Sequence, residues 1–207
     1  MSVEIEINDI SKRFKRDWIV RHFKHHFSPS NKIAVLGTNG SGKSTLLKII
    51  SGFVATTEGE IIWKLDGKPV DPANWHQHFA YSAPYLELIE EYTLEESLDF
   101  HFSLKAARKD LDLDQVLIDC GLQPHMTKRV SNFSSGMKQR LKLVLSLCSD
   151  VSVYLLDEPC SNLDDPGIEW YREMIKDLPT NKTIVVASNN KLEYEFCDIM
   201  VNVLKLG

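Results

Sequence analysis

With 207 residues, 43% of them hydrophobic, the chain is long enough to bury one large core, or a core with a small appendage. A net charge of -5 and a pI near 5.8 argue against the basic footprint of a nucleic-acid binder, and no apolar run approaches the roughly 18 residues needed to cross a bilayer. The opening Met1-Ser2-Val3-Glu4-Ile5-Glu6 is acidic where a signal peptide is positive, so a soluble intracellular protein is expected. Four scattered cysteines (Cys120, Cys148, Cys160, Cys197) form no C-x-x-C pair and read as small buried apolar residues of a reducing compartment. Neither His25-His26 nor His76-x-His78 has a cysteine or acidic cluster nearby in sequence to complete a metal set.

Val3, Ile5 and Ile7 alternate with Glu4, Glu6 and Asn8, the pattern of a half-buried strand. Phe14 follows, and a second extended segment runs from about Trp18 to Phe27. Lys32 to Leu36 reads as a buried strand leading into Gly37-Thr38-Asn39-Gly40-Ser41-Gly42-Lys43-Ser44-Thr45. That stretch fits G-x-x-x-x-G-K-[ST], the phosphate-binding loop. Leu46 to Ser51 continues as a helix stopped by Gly52. Strand, loop and helix in this order turn backbone N–H groups toward an anion at a helix N-terminus, and the glycines let the backbone approach it without a Cβ. Lys43 is then placed to reach the β- and γ-phosphates, and the Ser44 hydroxyl to ligate Mg²⁺. These residues predict binding of a nucleoside triphosphate.

Glu60 to Leu65 meets Asp66-Gly67, a hairpin signal, and predicts an antiparallel patch beside the nucleotide fold. Phe79 to Ser82 reads as a strand ending near Pro84. Thr93 and Glu96 form a capping box opening a helix with Leu94, Leu98 and Phe102 on one face. Asp112 to Cys120 is a further helix closed by Gly121. With helices and no clear strand in it, the stretch 94–130 predicts a helical subdomain inserted into an α/β core. An apolar helical run through Leu141, Val144, Leu145 and Cys148 precedes a buried strand, Val151 to Leu156, that ends in Asp157-Glu158-Pro159. Carboxylates at the carboxyl end of a parallel strand stand where open α/β sheets place ligand chemistry. A helix from about Asp165 to Lys176 and strands Thr183 to Ala187 and Ile199 to Leu204 complete the pattern.

Three separated motifs now stand in one order: the phosphate loop, Phe133-Ser134-Ser135-Gly136-Met137-Lys138-Gln139-Arg140, and Leu155-Leu156-Asp157-Glu158-Pro159. Together with Ser161-Asn162-Leu163-Asp164, similar to a D-loop, they resemble the ATP-binding subunit of ABC transporters over essentially the whole span 1–207. The middle motif resembles that family's signature, L-S-G-G-Q followed by K/R-Q-R, with Phe133 for Leu, Ser135 for the first Gly and Met137 for Gln. The resemblance implies an α/β P-loop NTPase fold of ABC type: a parallel sheet core, an antiparallel β patch and an inserted helical subdomain. It implies that Phe14 stacks on adenine and that Gly37, Asn39, Gly40, Ser41, Gly42, Lys43, Ser44 and Thr45 hold the phosphates of ATP. Ser44 and Asp157 would hold Mg²⁺. Glu158 would act as general base on the attacking water, with Lys43 as the second catalytic group. Ser134, Ser135 and Gly136 of one chain would cover the γ-phosphate held by the other, in an ATP-dependent head-to-tail homodimer.

Two departures from the family pattern matter. The Q-loop glutamine position falls on Pro84, and no Gln occurs between Gln77 and Gln115. The H-loop histidine position falls in Ser188-Asn189-Asn190, and no His occurs after His125. Asn189 can hydrogen-bond a γ-phosphate oxygen but cannot carry a charge or a proton, so tight nucleotide binding with slow hydrolysis is expected. The resemblance implies a Mg-dependent ATPase on the cytoplasmic face of a membrane, driving a separate transmembrane subunit that docks near Tyr85 to Glu91. In size it looks most like the ATP-binding subunits of haem-exporter-type or other small export systems, and the end of the chain soon after the last strand predicts no fused regulatory or membrane part. Two other functions compete: a non-transport ABC ATPase acting on a soluble partner, and a nucleotide-gated clamp with little turnover. The two missing polar residues favour the clamp somewhat, and the intact Glu158 argues against it.

Overall fold

Val3, Ile5 and Ile7 place three β-branched side chains on one side of a strand, and burying that side decides how the amino-terminal sheet forms. A computed structural model describes residues 2–204, leaving residues 1 and 205–207 of the span outside the description. In it β1 (Val3–Phe14), β2 (Asp17–Phe27), β4 (Glu58–Leu65) and β5 (Lys68–Pro69) form an antiparallel sheet in the order β2-β1-β4-β5. The inward alternation of β1 breaks at Asp9, which has φ 55°, and resumes at Ile10. This is a bulge, and it explains why the apolar positions step from Ile7 to Ile10. Opposite it, a Cβ on Gly59 (φ +75°) would lie 2.4 Å from the Asp9 carbonyl oxygen, so the strand accepts only glycine there. Asp66 and Gly67, with φ 48° and 78°, make the turn the sequence predicts between β4 and β5.

A second sheet has the order β6 (Phe79–Ser82), β7 (Val153–Asp157), β8 (Thr183–Ala187), β3 (Lys32–Leu36), β9 (Ile199–Asn202). The pairs β7–β8, β8–β3 and β3–β9 are parallel. Every residue of β7 and β8 is buried, which is why both read as unbroken apolar runs. The two sheets and α1 (Lys43–Ile50) share one core in which Ile5, Phe27, Ile33, Leu47, Trp63 and Leu155 are all buried. Trp63 stacks on Trp75 at 5.6 Å between ring centroids, and its indole N–H donates to the Ile50 carbonyl at 3.1 Å, fixing the end of α1. The expected class, an α/β parallel-sheet core with an antiparallel patch, is the one observed.

The chain divides into two compact units. One comprises Met1–Tyr81, Val151–Glu158 and Pro179–Gly207; the other comprises Ser82–Asp150 and Pro159–Leu178. The helical unit thus reaches beyond the expected 94–130, since α4 (Ser135–Leu147) and α5 (Asp165–Lys176) belong with α2 (Leu94–Leu104) and α3 (Leu113–Asp119). The capping box of α2 is complete: Thr93 Oγ1 accepts from Glu96 N at 3.2 Å and Glu96 Oε2 from Thr93 N at 2.8 Å.

Within this unit Arg108, a buried side chain that no helical periodicity reveals, links the ends of two helices. Its guanidinium donates to the carbonyls of Leu147 (3.3 Å) and Asp177 (2.9 Å), at the carboxyl ends of α4 and α5, and to the Asp110 carboxylate at 2.6 Å. A cation on terminal carbonyls satisfies groups that a helix leaves open and complements both dipoles. The four cysteines are buried and unpaired with one another; burial pushes the Cys120 thiol up to about 11 and those of Cys148 and Cys197 to about 12. Replacing Arg108 by Met is expected to lower stability by about 2 kcal/mol, because the buried Leu147 carbonyl and the part-buried Asp177 carbonyl lose their donor, whereas Asp110→Asn changes it by less than about 1 kcal/mol. Urea unfolding midpoints of the two variants check this; equal midpoints would show that the carbonyl bonds carry nothing.

Candidate nucleotide site

Helix α1 begins without a side-chain cap. Its N-cap is Gly42, at φ 103° in the left-handed region, and among the described residues no side-chain cap bond is made there. The open donors of an eight-residue helix therefore face the preceding loop, which is the requirement for an anion site. The loop is closely packed behind and open in front. A Cβ on Gly37 (φ +154°) would lie 2.4 Å from both Ser41 Oγ and the Val203 carbonyl oxygen, and one on Gly42 would lie 2.9 Å from Ile19 of β2. A Cβ on Gly40 (φ +78°) meets nothing within 4 Å. Thr38, Asn39 and Gly40 are exposed, while Ser41 is buried with its hydroxyl oxygen lacking a partner among the described residues.

Lys43 is only 5% exposed, and its ammonium donates to the carbonyls of Gly37 (2.8 Å) and Thr38 (3.4 Å). The cation thus lies folded over the loop, on acceptors that a phosphate oxygen, being charged, outcompetes. Ser44 and Thr45 are partly buried in the first turn of α1. Asp157 ends β7 opposite Ala187 of β8 and is fully buried. Glu158 follows with φ 44°, its amide donating to the Ala187 carbonyl at 2.9 Å. A glutamate in the left-handed region is a strained conformation of the kind that collects at functional sites, and it turns the chain sharply just after the buried carboxylate.

Asn189, beyond the end of β8, is exposed and donates from Nδ2 to Asn39 Oδ1 of the phosphate loop at 2.8 Å. The structure therefore brings the residue at the missing-histidine position to the loop itself. Phe14 stands at the end of β1, 46% exposed, with Lys12 Nζ 4.9 Å from its ring centroid. One face of that ring is covered by a cation and the rest is open.

The signature residues lie in the helical unit. Ser134 caps α4, its Oγ accepting from Met137 N at 3.2 Å, and Ser134 and Ser135 are exposed. Gly136 passes so close to the Asn162 carbonyl that an added Cβ would lie 3.0 Å from it. Ser134, Ser135, Gly136, Arg140, Asn162 and Asp164 line a surface depression of about 330 Å³. The Arg140 guanidinium bonds the Asp164 carboxylate and holds its pKa below the usual carboxylate range; Asp164 in turn caps α5. Gln139 is buried and donates to the Pro159 carbonyl at 2.7 Å, tying α4 to the chain just after Glu158.

Two features escaped sequence reasoning. Register Glu6↔His26 across β1 and β2 gathers Glu4, Glu6 and His26 within 4.8 Å, but Lys64 already bonds Glu6. The other is Lys142, an interior lysine of α4 that bonds the carbonyls of Ala83 and Pro84. Its only signal was a charged residue in an otherwise apolar helical run.

Residues 20–161 match the sequence model of the ABC transporter family. The chain belongs to that family. This cassette is 33% identical over 199 residues to the energy-coupling factor transporter ATP-binding protein EcfA1 of Thermotoga maritima, covering 93% of this chain and 74% of that one. It is 27% identical over 197 residues to the uncharacterized ABC transporter ATP-binding protein YybJ of Bacillus subtilis, covering 94% and 90%. Its fold superposes on a dimeric bacterial ABC transporter cassette, MJ0796, with TM-score 0.83 at 20% identity, covering 97% of this chain and 94% of that one. No described helix is long and apolar enough to cross a membrane. The cassette is an ATP-binding protein, and Lys43→Met is expected to weaken ATP binding about 10- to 100-fold. Its cost to the thermal stability of the free protein is smaller than that of Arg108→Met, because the Gly37 and Thr38 carbonyls are not fully buried; calorimetric titration paired with a melting curve checks both halves.

Proposed function

We propose that this cassette is the Mg-dependent ATP-hydrolysing subunit of an ABC transporter, driving a separate membrane-embedded partner from the cytoplasmic face. The observation that carries the reading is the division of labour in the chain. The phosphate loop, Asp157 and Glu158 stand in one unit, while the Ser134–Gly136 helix end opens as its own depression in the other. Each is half of a site, and a head-to-tail pair of chains completes two. ATP binds with its triphosphate on the open amides of α1 and the Lys43 ammonium. The Ser44 hydroxyl and the buried Asp157 carboxylate are hard oxygen donors of the kind that hold Mg²⁺. When bound, that ion supplies charge neutralisation to the β- and γ-phosphate oxygens. Glu158 orients the attacking water and accepts its proton, and the amides and hydroxyl at the start of the partner copy's α4 hold the γ-phosphate.

Asn189 sets the rate. Its amide donates to Asn39 and carries no charge, so developing negative charge on the γ-phosphate lacks one strong donor. This favours a slow motor, closed for long periods, and brings the cassette close to a clamp in behaviour; a soluble partner in place of the membrane one has no specific observation in its favour. Two measurements follow. Asn189→His is expected to raise phosphate release about tenfold or more in protein able to dimerise, and an unchanged rate would remove Asn189 as the cause. Glu158→Gln is expected to elute as a dimer in MgATP and as a monomer without it, with hydrolysis lowered about 100-fold; a clamp would show the same elution for both proteins.

A further inference from the structure

The segment between β6 and α2 carries no helix or strand, yet it is tied at both ends to the element that bears the signature residues. Glu90 and Tyr92 accept at their carbonyls from Ser131 N (3.0 Å) and Val130 N (2.8 Å), immediately before the Ser134 cap. Further along, Lys138 Nζ bonds the Glu90 carboxylate at 2.5 Å. At the other end Lys142 donates to the carbonyls of Ala83, at 3.3 Å, and Pro84. Lys138 and Lys142 are one turn apart on α4, so the two ammonium groups grip the segment from a single helix face.

The two grips differ in strength. Glu90 is more than half exposed, and an ion pair there is screened by solvent and weak. Lys142 is 7% exposed, Ala83 is fully buried, and among the described residues no carboxylate lies within ion-pair distance of Lys142. Burial holds the Lys142 pKa below its usual value, with the Lys138 charge adding to the effect. A buried ammonium on backbone carbonyls fixes the position of the main chain itself, and removing it leaves the buried Ala83 carbonyl and the partly buried Pro84 carbonyl without that donor. Pro84 stiffens the same point, because its ring fixes φ and restricts Ala83 to extended conformations. Beyond it Tyr85, Leu86 and Glu87 are exposed and line, with Lys138 and Lys142, a groove of about 740 Å³.

We infer that Lys142 is a positioning residue that makes the segment 84–91 move with α4, so that closure of Ser134–Gly136 over nucleotide is transmitted to the Tyr85-lined groove without a Q-loop glutamine. The inference rests on the dimer-closure reading above and adds the route by which closure leaves the site. Hydrogen exchange with mass-spectrometric readout tests it in the Glu158→Gln protein, with and without MgATP. With Lys142 present, ATP protects both 134–140 and 84–91. In Lys142→Met, which keeps the length and loses the charge, protection at 134–140 and the dimer on gel filtration persist, while the ATP response at 84–91 falls about tenfold. Lys142→Arg restores that response. A full response at 84–91 in Lys142→Met overturns the coupling role. Should the Met variant fail to fold, Lys142→Gln is judged by the same criterion. Absence of ATP-induced protection at 134–140 in the parent protein would instead bring down the closure reading, and this inference with it.

Discussion

A helix that starts on a left-handed glycine, with no side-chain cap among the described residues, presents its first amides as open donors, and the strands of the parallel sheet fix where those donors stand at the start of α1. The five-stranded sheet fixes where the helix begins, since β3 lies between β8 and β9 and delivers the chain to Gly37. The buried end of β7 then sets Asp157 and Glu158 at the carboxyl edge of the same sheet, where ligand chemistry in such folds resides. Trp63 pins the far end of α1 through the Ile50 carbonyl, so the helix is anchored at its tail while its head remains available.

Three cations share one physical role. Lys43, Arg108 and Lys142 are each nearly buried, and each satisfies backbone carbonyls. They differ in what competes for them. Arg108 serves carbonyls at helix ends, together with a carboxylate, and is structural. Lys142 serves the main chain at Ala83 and Pro84 and links a loop to a helix. Lys43 serves the loop carbonyls of Gly37 and Thr38, which a charged phosphate displaces. Under the function and the coupling proposed above, the same chemistry serves stability at Arg108, linkage at Lys142 and phosphate binding at Lys43.

Much of this was legible in the sequence. The strands β3, β6 and β8, the helix α5 and the Asp66-Gly67 turn fall where local patterns place them, because apolar runs, caps and turn residues act over a few positions. The phosphate loop and the Asp157-Glu158 pair were readable as motifs for the same reason: their residues lie close together in the chain. Partnerships across long sequence separations were not. Nothing local announces that Arg108 reaches Asp177, that Asn189 bonds Asn39, or that Lys142 reaches Pro84, since each depends on how separate elements pack. The β1 bulge was not legible either: the alternation of Val3, Ile5 and Ile7 announces a strand, but not that Asp9, against Gly59, breaks it before Ile10.

The central claim is that each catalytic site is shared, with the phosphate loop from one chain and the start of α4 from another. Complementation tests it most directly. Lys43→Ala disables the loop, and Ser134→Asp keeps an equally good helix cap while placing a negative charge where the γ-phosphate must come. Each variant alone should release no phosphate above background. Mixed in equal amounts, a head-to-tail pair retains one site built from two intact halves, and activity returns. A mixture as inactive as its components would contradict the shared site.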